Sequence, residues 1–480
     1  MVYPSFLLVL CLTCHLAHGV GLHGFHFHGL EEPRPLRKSD RENITEAWIQ
    51  QPVDHFNPRD NRTWSMRYLE NSRYFKENGP ILIMIGGEWA ISRGFLETGL
   101  MYGLASTHNA IMYYTEHRYY GKSKPTKDIS SPSLQYLSVD QALADLARFI
   151  ETRKRREGFE NSTVVVFGGS YAGNVATWLR LKYPHLVQGA LASSAPIFAK
   201  ADFYEYYEVV TESLRRYSQK CVDKIKAAFE AVEKLLTAKN GPQKLKQYFN
   251  NLCDVPDVNS SHDREHFMNI LVEQFGGTVQ YNKVENGRTM IAACCEIMTN
   301  EQLGTPLQRL VHFVSNGNKC LQNNYEKFVK LYRNETWDAQ PDIMRQWFYQ
   351  TCTEYGYYQT TNSNKTSFGS SLSLRYFTDI CTDLYGEYYN NEFLNVRIKR
   401  TNVMYGGLRP DLRNVIFTNG NVDPWHALSV LQDLNTLSPA IFINGSSHCR
   451  DLYSDSDTDV QDLIQARAKV RKIIGGWISS

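Results

Sequence analysis

A serine that ends a buried strand and opens a helix can serve as a nucleophile, and one serine of this chain stands in that setting. The segment Val164-Val165-Val166-Phe167-Gly168-Gly169-Ser170-Tyr171-Ala172-Gly173-Asn174 runs from an apolar stretch, through small residues, into a helical spacing. A strand that turns this sharply into a helix strains its turn residue, and neighbouring positions must be small or Cβ atoms collide. The hydroxyl then projects above the sheet edge, beside the positive end of the following helix. The usual signature is Gly-x-Ser-x-Gly; here Ala172 takes the second small position and Gly173 follows. A glycine-rich turn with an idle serine is the bland alternative, and the strand–turn–helix context weighs against it.

Such a serine needs a base, and the order in this kind of fold is Ser, then Asp or Glu, then His, each just past a later strand. The apolar run 414–418 leads into Asn419-Gly420-Asn421-Val422-Asp423-Pro424-Trp425, and the run 440–443 leads into Asn444-Gly445-Ser446-Ser447-His448. Asp423 and His448 are therefore the expected acid and base. His426 competes with His448, but it lies on the acid's own loop and before the last strand. His448 would take the Ser170 proton during attack and return it to the leaving group, while Asp423 fixes the imidazole tautomer. The oxyanion needs preset donors: the backbone N–H of Tyr171, and one from Gly87 or Glu88 in the loop after the third strand. Losing one such donor typically costs ~2.7–4 kcal/mol of transition-state stabilisation.

The elements that must hold these groups follow from periodicity. Short strands are predicted at 47–53 and 64–68. Continuous apolar runs at 80–85, 109–114, 163–167 and 187–192 fit strands buried on both faces of a parallel sheet. Helical spacing appears at 138–153 and 174–183. From about 200 to 400 the strong strands give way to amphipathic stretches such as 221–236, and seven of the later cysteines fall here. Sheet texture returns at 414–418 and 440–443, and 460–478 is helical by spacing. The expected class is α/β: an α/β-hydrolase core in two pieces, 47–199 and 401–480, with a mostly helical, disulfide-rich cap domain at 200–400 inserted between them.

At 480 residues with 42% hydrophobic and 21% charged residues, the chain can bury a sizeable core. A net charge of +2 gives no electrostatic reason to expect nucleic acid. The apolar run 6–12 followed by Ala17 and Gly19 reads as a signal peptide over 1–19. Residues 20–46 read as an arm or propeptide, with Arg37-Lys38 as a processing site or a solvated tail. His23, His26 and His28 could bind a metal there, but a polar arm is the commoner reading, and no metal or cofactor is expected. No later apolar run approaches membrane-spanning length, so a soluble mature chain is expected. Glycan acceptors stand at Asn43, Asn61, Asn161, Asn259, Asn334, Asn364 and Asn444. Beyond the signal peptide lie Cys221, Cys253, Cys294, Cys295, Cys320, Cys352, Cys381 and Cys449, an even set that argues for disulfides in an oxidising compartment, lysosomal, endosomal or extracellular. Their pairing is open, with Cys449 expected in a bridge.

Several segments together resemble a known family of serine peptidases, the one that includes lysosomal Pro-Xaa carboxypeptidase, dipeptidyl peptidase II and thymus-specific serine protease. They are Gln51-Pro52-Val53-Asp54-His55-Phe56, Glu116-His117-Arg118-Tyr119-Tyr120-Gly121, Gly168-Gly169-Ser170-Tyr171, Ser193-Ser194-Ala195-Pro196, Cys352-Thr353-Glu354, Asp423-Pro424-Trp425 and His448. The thymus-specific branch is similar in Tyr171-Ala172-Gly173 and Ser447-His448-Cys449. The resemblance implies a cap over the core that restricts access to chain ends, and exopeptidase cleavage after proline through an acyl-enzyme. It makes Trp425 a candidate for a proline pocket and Glu354 a candidate for a substrate terminus, each against a structural role. Peptides are the expected partners, with a homodimer left open. An esterase or lipase on the same core, or a non-catalytic hydrolase-like binding protein, are the competing functions.

Overall fold

The computed structural model describes residues 30–35, 44–315, 320–340 and 342–479. The expected signal peptide, Arg37-Lys38, the three early histidines and Asn43 lie outside the described residues.

Eight strands form one sheet: β1 (Thr45–Pro52), β2 (Thr63–Asn71), β3 (Ile81–Ile85), β4 (Ile111–Thr115), β5 (Val164–Gly169), β6 (Gly189–Ser193), β7 (Val415–Gly420) and β8 (Ala440–Ile443). Their order is β1-β2-β4-β3-β5-β6-β7-β8. β1 and β2 are antiparallel to their neighbours, and every pair from β4 to β8 is parallel. The central strands β3, β4, β5, β6 and β7 are buried at every residue. That is why they read as unbroken apolar runs: a parallel strand covered on both faces has no polar alternation.

Helices Val139–Lys154 and Tyr171–Lys182 pack on each other and against β1, β3, β5 and β6, while Leu100–His108 and Gln461–Ser479 form a second pair against β3, β4 and β8. The helix at 139 starts cleanly because the Ser138 hydroxyl accepts from the Gln141 N–H. The segment expected to be an arm is partly packed: Leu30 is buried, and the Glu32 carboxylate accepts from Trp89 Nε1 (3.0 Å) and the Ser92 N–H (2.8 Å).

Between β6 and β7 the chain is mainly helical. Cys221–Cys295 ties helix Gln219–Thr237 to helix Met290–Thr299, Cys253–Cys320 joins two loops, and Cys352–Cys381 ties the turn Thr351–Tyr355 to helix Leu374–Tyr385. Cys294 and Cys449 are buried thiols. The expected bridge at Cys449 is thus corrected. Its Sγ faces the Ser193 carbonyl (3.6 Å) and the backbone of Gly169, beneath the elbow, while the bridged cysteines pair with one another inside the inserted region. The Cys352–Cys381 bridge spans 29 residues. Replacing both with serine should lower stability by about 3–4 kcal/mol, mostly by freeing the unfolded chain. A denaturant midpoint equal to wild type would refute a structural role for this bridge.

Candidate active site

Ser170 lies between β5 and helix Tyr171–Lys182 with φ 57° and ψ −132°. A non-glycine residue holds such angles only where its surroundings enforce them. Here the Ser170 N–H donates to the Ser193 carbonyl at the end of β6 (2.9 Å), and the Ser170 carbonyl accepts from Gly173 (2.9 Å) and Asn174 (3.3 Å). A Cβ on Gly168 would sit 2.0 Å from the Ala172 carbonyl oxygen, and one on Gly173 would sit 2.8 Å from the Ala195 Cβ. The closest approach thus falls on 168, and Ala172 fits, fully buried, where the usual signature has glycine. Gly168→Ala should displace the turn and lower kcat/KM by on the order of 10²-fold or more, with far-UV circular dichroism unchanged. Wild-type activity in that variant would mean the turn absorbs the added carbon.

Asp423 follows β7 and is fully buried. Its Oδ1 accepts from the Trp425 N–H (3.0 Å), opening the 3₁₀ turn Pro424–Leu428, and its Oδ2 accepts from His448 Nδ1 (2.9 Å). With Nδ1 donating, Nε2 carries the free lone pair. Burial opposes the imidazolium, but the Asp423 carboxylate and, after it, the neighbouring Cys449 outweigh it, and the His448 pKa stands well above the usual histidine value. The His448 N–H donates to the Gln280 carbonyl (3.0 Å), and its ring meets Tyr281 edge-on with centroids 6.1 Å apart. His448 and Ser170 are also tied through one acceptor: the Ser193 carbonyl takes the Ser170 N–H and the thiol of Cys449, next to His448. The Ser170 hydroxyl itself makes no hydrogen bond among the described residues. His426 turns the other way, with Nδ1 on the Asp423 carbonyl (2.7 Å) and its ring against Phe442.

Ser170 opens onto a cavity that is partly open to solvent. Tyr171, Glu88 and Pro196 line its core side, and Trp425 lines it from the loop after β7. The inserted region supplies Gln280, Tyr281, Trp347 and Tyr357. Gln280 joins the two halves: its Oε1 accepts from Trp425 Nε1 (2.9 Å) and the Tyr206 hydroxyl (2.7 Å), while its carbonyl holds His448. Sequence reasoning missed Gln280 and Tyr281 because they are the last residue of, and the residue after, a helix of the inserted region, Ser261–Gln280, that carries no motif.

The other expected site residues fall as follows. Tyr171 is the first residue of its helix, where an N–H has no intrahelical acceptor. The Gly87 N–H has no backbone acceptor among the described residues, and the Trp89 ring covers that glycine. Glu88 lines the cavity. Glu354 does not line it: both carboxylate oxygens accept from the Val139 N–H (3.0 and 3.2 Å), at the start of helix Val139–Lys154. Burial pushes its pKa up to about 7.

Two more segments resembling the family serve the scaffold. Arg118 is fully buried and bidentate on Asp145 (2.6 and 2.8 Å), with its remaining donors on the carbonyls of Val53 (3.1 Å) and Tyr136 (2.9 Å). His55 meets the same carboxylate at 2.7 Å. His117 Nε2 and Gln350 Nε2 reach the Tyr171 hydroxyl (3.0 and 2.9 Å), so this shell steadies the residue after Ser170.

Similarity to known proteins agrees with this geometry. The chain is 35% identical to thymus-specific serine protease of Mus musculus, over 90% of this chain and 87% of that one. It is 31% identical to lysosomal Pro-X carboxypeptidase of Homo sapiens, over 91% of this chain and 88% of that one. Residues 51–470 match the family described as serine carboxypeptidase S28. With a strained serine at a strand–helix turn and a match that spans both core pieces and the insertion, this chain belongs to the serine carboxypeptidase S28 family and is a serine peptidase.

Proposed function

We propose that the protein is an exopeptidase that cleaves peptides after proline, with Ser170 as nucleophile, His448 as general base and acid, and Asp423 as the group that orients His448. Ser170 Oγ attacks the carbonyl carbon and its proton passes to His448 Nε2. The peptide C–N bond then breaks as His448 returns that proton to the leaving nitrogen. Water hydrolyses the resulting ester by the same route, so its hydroxyl ends on the acyl carbon and its proton on Ser170. The N–H groups of Tyr171 and Gly87 hold the oxyanion, with Glu88 as the alternative donor in that loop. The Ser170–His448 hydrogen bond forms when substrate fills the cavity; such bonds are often long without it.

The observation that carries this proposal is a strained serine opening into an aromatic cavity, with a buried Asp423–His448 pair tied to that cavity's lining by the His448 N–H on the Gln280 carbonyl. Trp425, flanked by Phe203, Tyr206 and Tyr357, offers flat apolar faces for a proline ring. The name of the lysosomal relative, a Pro-X carboxypeptidase, supports proline as the residue before the cut. Passage through the secretory pathway is supported by the bridges and by the exposure of Asn61, Asn161, Asn259, Asn334, Asn364 and Asn444 as glycan acceptors. No helix among the described residues is long and apolar enough to cross a membrane. A fluorogenic panel of proline-containing peptides tests the proposal, with a fluorophosphonate probe for Ser170. Turnover and Ser170 labelling are expected; faster turnover of acyl esters than of any peptide would overturn it.

A further inference from the structure

The charge of the cavity is one-sided. Its ionisable carboxyls are Glu88 and Glu273, and no Lys, Arg or His lines it among the described residues. Glu88 sits just past β3 and is 2% exposed, and its Oε2 has no hydrogen-bond partner among the described residues. A buried carboxyl oxygen left without a partner is costly, and it persists where a ligand satisfies it. Burial pushes this carboxyl up to about 8, a shift that an arriving cation reverses. Glu273, on helix Ser261–Gln280, borders the same space with its Oε1 accepting from Asn269 Nδ2 (3.0 Å).

A peptide can offer this cavity one of two charged ends. A terminal carboxylate would meet two carboxyls and no Lys or Arg, and the one imidazole that acts on Glu88, His448, is already paired with Asp423. A terminal ammonium would meet an unpartnered acceptor, and aromatic rings such as Trp347 and Trp425 whose faces attract cations. We propose that the Glu88 carboxylate binds the free α-ammonium of the substrate, so that the enzyme works from the amino end and releases a short N-terminal fragment ending in proline. This rests on Ser170 being the nucleophile. The geometry favours a short fragment: Glu88 belongs to the loop that holds the oxyanion, so the ammonium sits within a residue or two of the bond that is cut. When the ammonium binds, any proton on Glu88 leaves to solvent, and the ion pair replaces a neutral carboxyl.

The test compares an Xaa-Pro fluorogenic amide with its N-acetylated twin, beside an N-blocked peptide ending in Pro-Phe, all on the wild-type full chain. Acetylation is expected to lower kcat/KM by about 100-fold, the size of effect seen when a buried charged partner is removed, and the N-blocked Pro-Phe peptide should stay intact. Glu88→Gln should reduce the free-to-acetylated ratio to about tenfold or less, mainly by lowering the rate on the free amine. Equal cleavage of the acetylated twin, or release of Phe from the blocked peptide, would overturn the inference. The wild-type comparison stands even if the variant does not fold. Fluorophosphonate labelling separates the two levels: a labelled enzyme indifferent to the amino end overturns only this inference, whereas failure to label Ser170 overturns the catalytic assignment beneath it.

Discussion

Ser170→Ala is expected to lower kcat on a proline-containing peptide by roughly 10⁶-fold, the size of loss that follows removal of a serine nucleophile whose base and oxyanion donors stay in place. What remains would come from the oxyanion hole and binding alone, which still outpace water by about 10³–10⁴-fold. The fold should not suffer. The strain of the turn belongs to the backbone at φ 57°, and alanine keeps the same Cβ; the hydroxyl that is lost has no partner among the described residues. Substrate affinity should therefore survive while turnover disappears, a combination that equilibrium binding beside steady-state kinetics can read. Activity above about a hundredth of wild type, in protein free of contaminating peptidase, would mean that another group attacks the substrate.

Much of this site was legible in the sequence because buried parallel strands write themselves as unbroken apolar runs. The run 163–167 became β5 and 414–418 became β7, both buried throughout; 440–443 became β8 with the same bounds although, at the sheet edge, only Ile443 of it is buried. Chain order then placed an acid after β7 and a base after β8, and the structure brings Asp423 and His448 within 2.9 Å of each other. The start of the helix after Ser170 was less legible. Spacing suggested 174, but the helix begins at Tyr171, because the strained turn lets helical geometry start at once and leaves the Tyr171 N–H free to donate.

The rest was hidden for a physical reason: it depends on contacts between distant segments that carry no periodic signal. Gln280 meets Trp425 across 145 positions, and nothing in the helix Ser261–Gln280 marks its last residue as the support of His448. Glu354 belongs to a segment that resembles the family, which suggested a substrate contact. Its carboxylate instead sits on the first N–H of a helix, where the helix dipole favours a negative group. Glu88 was noticed for its backbone N–H, whereas the unusual feature is its buried side chain.

Asp423→Asn should cost about 10⁴-fold in kcat, with the scaffold intact. The carboxylate serves two donors at once, the Trp425 N–H on Oδ1 and His448 Nδ1 on Oδ2. An amide has one carbonyl oxygen. If that oxygen stays on the Trp425 N–H, the amide NH₂ faces His448 and drives the ring's proton to Nε2, where it can no longer accept from Ser170. If the amide flips, the Trp425 N–H faces a second donor, and the loop that presents Trp425 to the cavity loosens. The substitution also removes the largest of the influences that raise the His448 pKa. A histidine whose folded pKa lies above its unfolded value near 6.5 adds stability that is fully present below that value and fades as pH rises through the folded pKa. The Tm gap between wild type and Asp423→Asn should therefore be widest in acid, near pH 5, and narrow as His448 loses its proton. A gap that is constant with pH, or that grows in alkali, would show that the carboxylate does not hold a proton on His448, and the coupling that makes this pair a base would have to be abandoned.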